Sequence, residues 1–119
     1  MRITDPAMLK KMERVLKMNN NVFNLEDIRE ELQSGRMQSH SVGDTWAITQ
    51  VHQWPRRKSV NVLFVVGSLG DSYQMEKRIE EWAVREAGAD LITAVGRDGW
   101  WNKRTPDWKK MGTIYSKDI

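Results

Sequence analysis

The chain has no cysteine, only two histidines and no long hydrophobic run. Without cysteine there can be no disulfide, no thiolate metal site and no cysteine nucleophile, which fits a reducing compartment. The longest apolar run, Val62–Val66, falls far short of the roughly 20 residues needed to cross a bilayer, so no membrane partner is expected. The opening stretch MRITDPAMLKKMERVL lacks an apolar segment and a small-residue cleavage site. It does not read as a secretory signal, and the expected location is the cytoplasm. His40 and His52 have no further ligand at metal-binding spacing, so no metal is expected.

What is present describes one ordinary globular domain spanning residues 1–119, with 39% apolar and 29% charged residues. The net charge of +3 is unevenly placed. Residues 97–119 hold six Lys/Arg against three Asp/Glu, and the preceding 96 residues balance at 13 against 13. A basic end of this kind suits an anion, a phosphate-bearing ligand or nucleic acid, or is simply a solvated face.

Helices come first. Thr4-Asp5-Pro6 is a helix start, and Met8, Leu9, Met12, Val15 and Leu16 follow at three- and four-residue spacing as a core-facing stripe. The run Asn19-Asn20-Asn21 ends that helix, so residues 1–19 are separable as an appended element. Asn24 caps a second helix with Glu26 and Asp27 in its first turn, Leu25, Ile28 and Leu32 inward, and Ser34-Gly35 at its end.

From Arg36 the period becomes two. Residues 36–42 and 44–54 read as a hairpin about Gly43-Asp44, with Trp46, Ile48 and Val51 as anchors and a break in alternation near Gln50 that marks a bulge or a strand end. Residues 59–66 are apolar on both faces in their second half, as a central strand covered on both sides requires. The turn Gly67–Ser72 leads into a helix with Met75, Ile79, Trp82, Ala83 and Glu86 along one side. It ends at Gly88, and Ala89–Val95 follows as a parallel strand. Lys109–Ile119 reads as a closing strand. The expected fold is α/β (α+β): an antiparallel meander, then a central βαβ unit, in one mixed sheet with helices on both faces.

This order, together with the ending GRDGWWNKRTPDWKKMGTIYSKDI, resembles the GNAT (Gcn5-related N-acetyltransferase) fold over residues 20–119, and the ending is similar to that of small GNAT-like proteins encoded by phages and prophages. The resemblance implies that acyl-CoA lies along the strand ending at Val66, with its pyrophosphate on the N–H groups opening the next helix. The matching positions are Val65, Val66, Gly67, Ser68, Gly70, Asp71 and Ser72. The family's phosphate turn carries an Arg or Gln ahead of its glycines. Here VGSLGDSYQ has no cation and places Asp71 where the diphosphate would sit, a like-charge repulsion. Tyr115 stands later than the family's usual tyrosine and reads as a packing residue. Asp98 reads as a turn residue, and no catalytic residue is assigned.

The densest aromatic and basic patch is Trp100, Trp101, Lys103, Arg104 and Trp108. Such a patch closes a core, anchors a protein partner or stacks nucleic-acid bases. Two functions follow. The first is a GNAT-fold binding or structural component with a degenerate acyl-CoA site and no cofactor, phage-encoded, in a virion or the host cytoplasm, with a copy of itself, a virion protein or a host protein as partner. The alternative is a minimal N-acetyltransferase that uses acetyl-CoA.

Overall fold

The apolar stripe of the first segment becomes α1, Pro6–Met18, with Met12 and Leu16 buried and Leu9 and Val15 half-buried. The computed structural model describes residues 6–18, 22–67, 72–95 and 107–119. The expected cap at Thr4-Asp5 and the terminating asparagines lie outside them.

The second helix, α2 (Leu25–Ser34), begins with a full capping box. Asp27 N–H donates to Asn24 Oδ1 at 2.8 Å, and Asn24 N–H donates to Asp27 Oδ2 at 3.0 Å, satisfying two otherwise orphaned donors. Gly35 closes the helix at φ +82°, its N–H donating to Leu32 O.

Four strands follow in spatial order β1 (Gln38–Val42), β2 (Thr45–Gln53), β3 (Lys58–Val66) and β4 (Leu91–Ala94). The first three pair antiparallel, and β4 is parallel to β3 after a crossover through α3, Ser72–Trp82. The domain is thus α/β, a meander followed by a βαβ unit in one mixed sheet. On one face α1 and α2 pack Met12, Leu16 and Ile28 against Trp46, Ile48, Phe64 and Val66. On the other, α3 packs Met75, Ile79 and Ala83 against Ala47 and Val60, with Val51, Val62 and Ile92 around them. Val51 therefore anchors the face opposite to Trp46 and Ile48. Among the described residues, no helix is long and apolar enough to cross a membrane.

Several sequence expectations shift. The bulge lies where Ile48 pairs with Phe64 and Thr49 with Val62, so the extra residue is Leu63 of β3 rather than a residue near Gln50. The last turn of the crossover helix, Ala83–Ala87, is a π-turn in which the Gly88 and Ala89 N–H groups both donate to Ala83 O. The wider turn advances the face, so Ala87 packs on the core and Glu86 is exposed instead of inward. Of Ala89–Val95, only Leu91–Ala94 is strand; Ala89 is buried against α3, and Val95 is exposed.

The expected closing strand does not form: residues 108–119 run without a ladder. Met111, Ile114 and Tyr115 are 76–88% exposed. In KKMGTIYSKDI, Gly112 and Thr113 separate Met111 from Ile114, and Lys109-Lys110 and Lys117-Asp118 flank the short apolar stretch, which leaves little apolar area to repay ordering a strand.

Candidate binding groove

The β3–β4 ladder covers only Ser59↔Leu91 to Val62↔Ala94. Beyond it β3 continues to Val66, paired with β2 alone among the described residues. A groove of about 530 Å³ opens there, between Leu63, Ala94 and Val95, and extends past Asn61 and Thr93 to Trp54. The segment from Trp108 to Ile114 forms its far wall. A second hollow of about 410 Å³, lined by Arg56, Arg57 and Leu91, shares Trp54, Thr93 and Met111 with the first. The helical layer explains the opening. The α1–α2 core covers β2 and the later part of β3, so the other end of that face is left to the C-terminal segment.

The floor carries an ordered polar relay. Trp54 Nε1–H donates to Ser59 Oγ at 2.8 Å, and Ser59 donates onward to Asn61 Oδ1 at 2.8 Å. Thr93, opposite Asn61 in the ladder, donates to the same oxygen at 2.6 Å. The indole can only donate, and Ser59 passes its own hydrogen on to Asn61 Oδ1. With Thr93 that oxygen accepts two hydrogen bonds, and no acceptor for Nδ2 occurs among the described residues.

Three stapling contacts hold the start of both strands. Lys58 N–H donates to Asp90 Oδ1 at 3.2 Å, Asp90 N–H to Lys58 O at 3.0 Å, and the Arg57 guanidinium to Asp90 O at 2.6 Å. The C-terminal wall is tied to α3 by Trp108, whose indole N–H donates to Glu76. The charged side chains lining both hollows are Arg56, Arg57, Lys109 and Lys110. Among the described residues, neither a carboxylate nor an imidazole lines them.

The strand-to-helix turn looks different. Gly67 has φ +123°, and a Cβ there would stand 2.3 Å from Asp44 O and 2.7 Å from Thr45 Cα. Its bare backbone is needed where the chain meets the β1–β2 turn. Val66 is buried in the α1–α2 core, Val65 is half exposed, and Ser72 opens α3. Ser68, Gly70 and Asp71 lie outside the described residues, as do Trp100, Trp101, Lys103, Arg104 and Asp98. Trp108 alone of that aromatic patch is placed, in the groove wall. Tyr115 is 88% exposed, so the packing role expected of it is not seen.

His40 is buried and lines neither hollow. Its Nε2 is 2.9 Å from Thr49 Oγ1, Thr49 donates to Gln38 Oε1 at 3.1 Å, and Gln38 Nε2 donates to Gly35 O at 3.0 Å. The amide end facing Gly35 must be nitrogen, so the chain runs one way and His40 carries its proton on Nε2. The Trp82 ring packs edge-on at 5.1 Å. Burial first, and the positive Arg78 second, pull the imidazole's pKa below 6.5. Its role is structural. His52 stacks against Trp54 at 4.0 Å, and no group of three potential metal ligands occurs among the described residues.

The groove was missed in the sequence, although its signal is there. Ser59 and Asn61 alternate with Val60 and Val62 in a central strand, and polar residues at that register must find partners. No family model, curated protein or solved structure matches this chain.

Proposed function

We propose that this chain is a GNAT-like domain that acts by binding, not by acyl transfer. One observation supports the reading: a Cβ at Gly67 would stand 2.3 Å from the Asp44 carbonyl oxygen, so the glycine serves a close backbone approach. A glycine spent on packing, followed by Asp71 with no preceding cation, makes a poor cradle for a diphosphate. Among the described residues the groove lining supplies cations, apolar surface and the Asn61 amide, but no carboxylate or imidazole to act as general base. Met111, Ile114 and Tyr115, exposed on an unpaired segment beside Trp108, give a partner protein its apolar anchors. A copy of the chain, a virion protein or a host protein fits that role.

Calorimetry and thermal melting with near-millimolar acetyl-CoA test the claim, together with a transfer assay on a panel of amines. No heat, no shift and no transfer are expected. A melting temperature raised by several degrees overturns the reading.

One feature favours the alternative, a minimal N-acetyltransferase. The parallel strands part company after Val62 and Ala94, the kind of opening in which the resemblance places a pantetheine arm.

A further inference from the structure

We propose that the groove at Asn61 binds an amphipathic monocarboxylate, whose carboxylate accepts from Asn61 Nδ2 while its apolar chain lies along Leu63 and Val95. This rests on reading the groove as a binding surface and is independent of what the C-terminal segment docks.

Three features converge. In the relay from Trp54 through Ser59 the Asn61 oxygen already accepts two hydrogen bonds, so the group Asn61 has left to offer is its NH2. Among the described residues the charged side chains lining the two hollows are all cations; Arg57 is paired with Asp90 at 3.6 Å, and Lys109 on the wall is exposed to solvent. Apart from Thr93, Gly112 and Thr113 the remaining lining of the larger groove is aliphatic or aromatic, and about 530 Å³ lies within the range of roughly 300–1,000 Å³ in which small-molecule sites fall. An amide donor with no acceptor among the described residues, an exposed cation on the wall and an apolar trough favour an anion with a hydrophobic tail. One charge-assisted hydrogen bond in a partly dry groove discriminates a carboxylate from an alcohol by about tenfold or more.

The test titrates the full chain with decanoate, decanol and decylammonium, read by calorimetry and by backbone and indole NMR shifts. Decanoate should bind, shift Asn61, Thr93 and the Trp54 indole, and exceed decanol by at least about tenfold, while decylammonium does not bind. In Asn61→Asp, one oxygen keeps both hydroxyl donors and the other replaces the NH2 group. Decanoate affinity should fall at least tenfold, and decylammonium should bind instead. Lys109→Glu, an exposed change that leaves the relay intact, should weaken decanoate and leave decanol unchanged. Equal affinity for decanoate and decanol, binding by none of the three, or an unaltered preference in a folded Asn61→Asp protein overturns the proposal. None of these outcomes depends on whether acetyl-CoA binds.

Discussion

Gly67 and Asp44 touch backbone to backbone: a side-chain carbon at residue 67 would lie 2.3 Å from the Asp44 carbonyl oxygen. The contact joins the end of β3 to the β1–β2 turn, and it turns a motif that invites a phosphate reading into a packing device. Gly67→Ala should therefore cost about 3 kcal/mol or more, adding a backbone collision to the strain of φ +123°. Gly35 supplies the control. It also has positive φ, but nothing lies within 4 Å of its missing Cβ, so Gly35→Ala should cost about 1–2 kcal/mol. Urea unfolding of the two variants separates them. Equal costs would refute the close-approach explanation.

One α1 methionine, Met12, is a core residue. Met12 is fully buried between α1 and the sheet, and Met12→Ala should cost about 2–5 kcal/mol by chemical denaturation. A loss under 1 kcal/mol would mean that α1 docks loosely and that its stripe is free for a partner.

These two cases show what the sequence could and could not convey. Periodicities of 3.6 and 2, the Asn24 cap and the switch to a doubly apolar strand at Val62–Val66 suffice for the helices, the meander and the βαβ order. Those signals are local. The Gly67 contact joins residues 23 positions apart, and the π-turn after Trp82 changes which residue faces inward without changing composition. The C-terminal strand failed for an energetic reason: Met111, Ile114 and Tyr115 have strand-like spacing, but no described strand offers them a covered face. The groove arises from a gap between layers, which a linear pattern does not encode. Ser59 and Asn61, polar residues in a largely apolar strand, hinted at it.

Acid should act through His40. The imidazole is held neutral, with its folded pKa below the ordinary 6.5. The unfolded chain therefore binds more protons than the folded one between the two values. The stability that His40 confers is complete above about 6.5 and is lost as pH falls through the folded pKa. Melting temperatures between pH 7.5 and 5 should fall more steeply for the native chain than for His40→Gln, which cannot titrate. Parallel curves would place the pH sensitivity elsewhere.

Trp108 ties the groove wall to α3 through Glu76. Trp108→Phe keeps the ring area but removes the N–H donor, and a net loss of about 1 kcal/mol corresponds to roughly fivefold faster opening of residues 109–114. Hydrogen exchange by mass spectrometry should detect faster exchange there with the sheet unchanged. A uniform change across the chain would instead indicate global destabilisation.

The most direct test is a pair of amide-shift maps recorded with acetyl-CoA and with decanoate. The account predicts that decanoate moves the Trp54, Asn61 and Thr93 signals, and that acetyl-CoA leaves Val65–Gly67 and the opening turn of α3 unmoved. Saturable acetyl-CoA shifts at Val65–Gly67 and the start of α3 would contradict it and favour the acyltransferase.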